Sequence, residues 1–302
     1  MGKLYAVGDL HLGHKFNADA WKTLERHPND GLILCGDVGE TVAHLELAFE
    51  TAKRNFKEVW WCPGNHELYT MVMHTQQKGE GKYAECLEVA RRYGVWTPDD
   101  DFVVWEGEGD PAIIAPIFTL YDYTFRPEHM SKDEAIEWAK DADTVATDEF
   151  ILHPDPFPTR EDWCYALVAK TEQKLEEANR RGIPLVIVSP DCEFLRHANH
   201  WPLREDLVYI PRVPRFKLWC GTKKTEDWHT RFSNTKVVIS GHLHVPRTDW
   251  KDGVRFEECS LGYPKQWEVA RDRGLDVNGL LREILPGPPE SATKETQWRR
   301  YG

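Results

Sequence analysis

The sequence predicts an α/β fold built from parallel strand–helix–strand units. Short apolar runs end repeatedly in glycine followed by a polar residue, and helical patterns with one apolar face lie between those runs. Alternation of this kind places successive strands side by side in a parallel sheet with helices packed against it. The chain has 302 residues, 41% of them hydrophobic, which is enough for one large α/β domain or two small ones with a sizeable core.

The elements follow in order. Leu4 to Val7 is a short apolar strand ending in Gly8-Asp9, and a helical pattern runs from about Asp19 to Arg26. Leu32 to Cys35 is the second strand, ending in Gly36-Asp37. The pattern from Thr41 to Phe56 places Leu45, Ala48, Phe49 and Ala52 on one helical face. Glu58 to Cys62 is the third strand and runs into Pro63-Gly64-Asn65-His66. Glu80 to Tyr93 reads as a helix ended by Gly94. Phe102 to Trp105 and Ala112 to Ile117 read as strands of a second sheet, joined by a glycine-rich turn. Ser131 and Glu134 have the spacing of a capping box and open a helix to about Ala146. A proline-rich loop, "HPDPFPTRED", precedes a long helix from Asp162 to Arg181, closed by Gly182 and Pro184. Ile183 to Val188, Lys236 to Ile239 and Val254 to Ser260 complete the strands. Residues 1–270 read as a single domain and residues 271–302 as a weakly patterned tail, with no repeats and no dividing linker.

Composition narrows the function. The formal net charge is −12, which argues against a general grip on duplex nucleic acid. The charge is uneven: residues 204–251 carry ten Lys/Arg against five Asp/Glu, a local net of +5, while the rest of the chain carries −17. Such a segment is either a solvated face or a landing site for an anion. The seven cysteines are odd in number, none has Cys-x-x-Cys spacing, and several lie in apolar runs. Reduced, buried thiols in a cytoplasmic protein are the expectation, and a thiol-zinc site is not. No apolar run approaches the roughly 18 residues needed to span a membrane. The N-terminus enters a strand at once, without the apolar core of a signal peptide.

The chemistry concentrates at strand ends, where open α/β sheets place their sites. The stretches are "GDLHLGH" with Asp9 and His11, "GDVGE" with Asp37, "GNHE" with Asn65 and His66, and "GHLH" with His242 and His244. Glycine before each polar residue allows a sharp turn and close crowding around a small object. Asp-x-His and His-x-His in extended segments put both side chains of each pair on one side. Carboxylate, amide oxygen and imidazole, without thiolate, suit Mn²⁺, Fe²⁺ or Zn²⁺. Two such ions about 4 Å apart, sharing one aspartate, would clamp a phosphoryl group for in-line attack.

These motifs, in this order, resemble those of the calcineurin-like metallophosphoesterases: Asp-x-His, Gly-Asp, Gly-Asn-His-Glu, an isolated histidine, then Gly-His-x-His. The resemblance implies a four-layer αββα sandwich of two mixed sheets flanked by helices. It implies a first metal on Asp9, His11, Asp37 and His244, and a second on Asp37, Asn65, His200 and His242, with Asp37 bridging. His66 would be the histidine that is not a ligand, facing the phosphate and helping the leaving oxygen depart. His200 fills the isolated-histidine place within Asn199-His200-Trp201-Pro202-Leu203, and His197 is then a loop residue. Ten residues, Ser189 to Ala198, separate the strand end at Val188 from that stretch. Either a bulged strand continues through "EFLRHA", or a loop folds out and returns, or the second metal is weakened or lost.

The stretches "LYDYTFRPE", "TDEFILHPDPFPTREDWC", "LWCGTKKTEDWHTRF" and "DGVRFEECSLGYPKQW" are similar to a bacterial branch of this family, the phosphopantetheinyl hydrolases. That branch cleaves the phosphodiester joining 4′-phosphopantetheine to a serine of acyl carrier protein. The implied partner is acidic, and Arg212, Arg215, Lys217, Lys223 and Lys224 of the basic segment would suit it. Tyr121 and Asp122, together with Trp228, His229 and Arg231, are candidates for a substrate-binding wall of aromatic faces and a few donors. The alternatives are a cyclic nucleotide or other small phosphodiester as substrate, and a metal-poor scaffold that binds a protein. No membrane partner is expected.

Overall fold

A computed structural model describes residues 1–189, 215–288 and 296–299. The elements are β1 (Leu4–Val7), α1 (Lys15–Trp21), β2 (His27–Cys35), α2 (Val42–Asn55), β3 (Phe56–Cys62), α3 (Gly79–Tyr93), β4 (Val104–Trp105), β5 (Ala112–Pro116), α4 (Lys132–Lys140), α5 (Asp148–Ile151), α6 (Arg160–Arg180), β6 (Leu185–Val188), β7 (Thr235–Ser240), β8 (Arg247–Lys251), β9 (Val254–Glu258), β10 (Arg282–Leu285) and β11 (Gln297–Trp298). They form a four-stranded sheet in the order β10-β1-β2-β3 and a seven-stranded sheet in the order β11-β8-β9-β7-β6-β5-β4. In the first sheet β1, β2 and β3 are parallel and β10 is antiparallel. In the second, β5, β6, β7 and β9 are parallel and the flanking strands antiparallel.

Period-two alternation divides each central strand between two cores. Leu4, Ala6, Ile33, Cys35, Trp60 and Cys62 of the first sheet meet Ile114, Val186, Val188, Val237 and Ile239 of the second in one buried cluster. Their neighbours Val7, Leu32, Leu34, Val59 and Trp61 join Leu45, Phe49 and Ala52 of α2. Ile113, Ala115, Leu185 and Ile187 join Trp163, Leu167 and Leu175 of α6 in the same outer core. Strands buried on both faces must be apolar at successive positions, hence runs such as "LILC" and "LVIV". The result is the expected αββα sandwich.

The differences from the sequence reading lie mostly at boundaries. The first helix is shorter and earlier than expected, because β2 begins at His27. The Ser131 capping box forms with both of its hydrogen bonds, yet α4 ends at Lys140. β8, "RTDWK", has a single buried position and so carries no apolar signal. The weakly patterned 271–302 tail nevertheless supplies β10 to the first sheet and β11 to the second. Arg282 at the start of β10 and Arg299 after β11 both reach the buried Glu257 of β9, beside Arg255. One carboxylate thus ties the C-terminal segment across both sheets.

Candidate metal centre and active site

The glycine-led motifs follow β1, β2, β3 and β7, and their loops meet at one end of the sandwich. Gly8 after β1 forms a bridge with Ser260 after β9, which joins the ends of the two sheets. There Asp9 Oδ1 lies 3.0 Å from His244 Nε2, and His244 Nε2 lies 3.0 Å from His11 Nε2. Candidate ligand atoms of Asp9, His11 and His244 fall within 4.8 Å of one another, as do those of His11, Asp37 and His66. Asp37 stands between the two halves. Its Oδ1 accepts the His66 backbone N–H at 3.0 Å, and its Oδ2 lies 3.9 Å from His242 Nδ1.

The backbone holds these residues in an uncommon conformation. Asp9, His11, Asp37, His242 and His244 all have positive φ, between 44° and 73°. Among the described residues they are five of the nine non-glycines with this feature, so local strain gathers at the site. Buried hydrogen bonds hold the strained loops. Asp9 accepts the His242 N–H at 2.9 Å and the Ser260 hydroxyl at 2.7 Å. Glu67 accepts the backbone N–H groups of Asp37, Val38 and Gly64, tying two motifs together. A Cβ on Gly64 would strike the Asp37 carboxylate, and one on Gly241 the Asp9 carboxylate, so only glycine permits the close approach.

Protonation follows from the surroundings. His244 Nδ1–H donates to Gln266 Oε1 at 2.7 Å, since an amide oxygen can only accept. That leaves Nε2 turned toward Asp9 and His11. Burial, reinforced by the neighbouring His66 and His244, lowers His11 to about 4 despite the Asp37 carboxylate. His11 is therefore neutral near pH 7, as a ligand must be. His66 behaves oppositely. Burial would lower it, but the charge of Asp37 and the hydrogen bond and charge of Glu40 raise it to about 9. Its Nδ1–H donates to Glu40 Oε1 at 3.0 Å. Glu40 in turn sits well below the usual carboxylate range: burial opposes this, but hydrogen bonds from His44 and His66 prevail.

The donor set fits divalent cations. Asn65 Oδ1 and His242 Nε2 are buried without a hydrogen-bond partner among the described residues. Buried polar atoms left so are costly, and a cation satisfies them. Carboxylates, an amide oxygen and imidazoles are suitable donors for one. Aromatic rings wall the cluster: Tyr263 stacks on His11 at 4.3 Å and meets His244 edge-on, and Phe216 stacks on His242 at 5.4 Å.

Asp9, His11, Asp37, Asn65, His66, His242 and His244 are thus gathered at one end of the sandwich. His200 lies outside the described residues, as do His197 and Arg212. Tyr121 and Asp122 lie beyond β5, at the site's end of the second sheet. Tyr121 is wholly buried, and Asp122 is occupied by the hydroxyls of Thr124 and Thr222. Trp228, His229 and Arg231 sit elsewhere, in a short helix that precedes the start of β7, at the opposite end of the sheet. Trp228 packs against Phe232, His229 binds Asp252 in the β8–β9 turn, and Arg231 pairs with Glu172 and Glu176 of α6. Those three form packing contacts at the far end and not a wall of the metal cluster. Sequence reasoning missed Glu40, although the spacing Gly-Asp-x-x-Glu is plain in the chain. It also missed Gln266, Ser260, Tyr69 and Asp148, for which no local signal exists.

An α/β sandwich that brings Asp, Asn and His together from parallel strand ends belongs to a known class. Residues 2–246 match the calcineurin-like phosphoesterase family, and this chain is a member of it. The similarity extends further to one enzyme. The chain is 43% identical to the [acyl-carrier-protein] phosphodiesterase PptH of Mycobacterium tuberculosis over 288 residues, 94% of this chain and 84% of that protein. The crystal structure of that phosphopantetheinyl hydrolase matches with a TM-score of 0.85 at 41% identity, covering 96% of this chain and 98% of the other.

Proposed function

We propose that this protein is a dinuclear metal-dependent phosphodiesterase that hydrolyses the 4′-phosphopantetheine–serine linkage of holo acyl carrier protein. The observation that carries the substrate is the 43% identity, across 94% of the chain, with an enzyme named for action on acyl carrier protein. The reaction class rests on the convergent donors and on family membership. Asp9, His11, Asp37 and His244 would hold one ion, and Asp37, Asn65 and His242 the other, with His200 as the further ligand that the family pattern assigns. Mn²⁺ and Fe²⁺ are the proposed ions, and Zn²⁺ suits the same donors. When bound, the ions supply Lewis acidity toward a phosphoryl oxygen and lower the pKa of a water.

The chain's own residues do the rest. Glu40 fixes the His66 ring through Nδ1 and keeps it protonated, so Nε2 can give a hydrogen bond or a proton to the departing serine oxygen. Phe216 and Tyr263 flank the ligands and stack on the His242 and His11 rings. Lys217 follows Phe216, which stacks on His242, so the basic segment that continues to Lys223 and Lys224 begins beside the cluster, where an acidic carrier protein would meet it. No helix among the described residues is long and apolar enough to cross a membrane. The proposed setting is the cytoplasm, where carrier proteins are substrates.

The test is intact mass of a purified holo acyl carrier protein after incubation with the enzyme and Mn²⁺. Conversion to the apo mass, abolished by a chelator, is the expected result. An unchanged mass with turnover of small phosphodiesters would transfer the chemistry to a small substrate. An unchanged mass with no bound metal would favour the scaffold reading.

A further inference from the structure

Behind the cluster lies a carboxylate that neither the motifs nor the proposed mechanism uses. Asp148, in α5, is 0% exposed, and it stands 83 residues from the asparagine it contacts. Asn65 Nδ2 donates to Asp148 Oδ1 at 2.8 Å and to Tyr69 Oη at 2.9 Å. Tyr69 Oη–H donates to the same Asp148 oxygen at 2.8 Å. The three side chains close a small ring in which Asp148 only accepts. That polarity decides which way the Asn65 amide faces. With Nδ2 turned to Asp148, Oδ1 points the opposite way and is buried without a partner among the described residues. A flipped amide would set Asn65 Oδ1 against the accepting Asp148 Oδ1, lone pair to lone pair, and would turn N–H groups toward the metal side.

Asp148 is itself held firmly. Its backbone carbonyl accepts Arg160 Nη2–H at 2.7 Å. Thr70 N–H donates to Ile151 O at 2.9 Å, and Tyr69 bridges to Leu152, so α5 is clipped to the segment that follows Asn65. A hydrogen bond that orients a ligand commonly matters to metal affinity by an order of magnitude or more.

We propose that Asp148 is a positioning residue for the second metal: with Tyr69, it locks the Asn65 amide so that Oδ1 is the atom presented to the cation. This rests on the reading of Asn65 as a ligand of that metal.

The test is Mn²⁺ titration of the metal-free full chain, resolving the two binding events, for wild type, Asp148→Ala, Asp148→Asn, Tyr69→Phe and Asn65→Ala. Asp148→Ala is expected to weaken the second ion about 10- to 100-fold and leave the first ion's affinity unchanged in the folded protein. Asp148→Asn keeps an oxygen acceptor and should retain most of the second-ion affinity. If Asn65→Ala loses the second ion and Asp148→Ala does not, the positioning role is overturned while the ligand reading stands. If Asn65→Ala binds both ions normally, the ligand reading fails and the positioning role falls with it. Equal loss of both ions in Asp148→Ala, with a lower melting temperature, would make Asp148 a structural residue only. Should that variant fail to fold, Tyr69→Phe decides: weakening confined to the second ion supports the proposal, and unchanged binding refutes it.

Discussion

His11 and His244 present their Nε2 atoms to each other at 3.0 Å. Gln266 Oε1 accepts a hydrogen bond from His244 Nδ1–H, so Nε2 is the nitrogen turned to His11 and Asp9. Two imidazole nitrogens that close need a proton or a cation between them. In the metal-free protein a proton can fill this role: burial works against it, but the Asp9 carboxylate raises the His244 pKa above the ordinary imidazole value. Metal binding must therefore release protons, and affinity should fall as pH falls. Calorimetry of Mn²⁺ binding in buffers of different ionisation enthalpy should show that release, and His244→Ala should diminish it. Identical heats in all buffers would contradict the assignment.

His66 should matter to turnover and not to metal content. It touches Asp37 through its backbone, but its ring is held by Glu40. Loss of a positioned general acid costs about 10²- to 10⁴-fold in rate. His66→Ala should fall in that range with both metals retained by elemental analysis. Glu40→Gln should fall less, roughly 10- to 100-fold, as a loss of orientation and charge. Full activity in His66→Ala would remove it from the mechanism.

The raised pKa of His66 has a measurable sign. In the metal-free protein its ring should titrate near 9 by NMR, and Glu40→Gln should lower that value. A group raised from 6.5 to about 9 stabilises the fold fully below pH 6.5, and loses that contribution as pH rises through 9. Metal-free wild type should therefore lose more stability than metal-free His66→Gln between pH 6.5 and 9. A smaller or equal loss would contradict the assignment.

Glu257 is fully buried and shared by Arg255, Arg282 and Arg299. Removing one partner from a buried charge network leaves uncompensated charge and costs about 3–5 kcal/mol. Glu257→Ala should lose about that much in urea unfolding, with metal binding little changed in the folded protein. The loss should be smaller in a chain that also lacks Arg282 and Arg299, because fewer buried cations are stranded.

Most of the donor set is legible in the chain itself. Asp9, His11, Asp37, Asn65, His66, His242 and His244 each lie next to a strand end marked by glycine, so a few adjacent letters place each one. Three of the five substrate-wall candidates lie away from the cluster. Trp228, His229 and Arg231 precede an apolar strand, and the sequence does not say at which end of the sheet that strand begins. The tail carries no such signal, because β10 is a four-residue edge strand with one buried position, too short for a period to show.

By itself, the sequence determined the strand–helix alternation, the parallel central strands and the glycine-led donor motifs. These are local: hydrophobic period and turn chemistry act over a few residues. Only the tertiary structure decided that Glu40 holds His66, that Gln266 orients His244, that Asp148 turns Asn65, and that three arginines close on Glu257. Most of these pairings join side chains from separate loops or strands that meet only after the sheets form and stack. Apart from Glu40, these partners carry no period and no spacing, so nothing along the chain announces them.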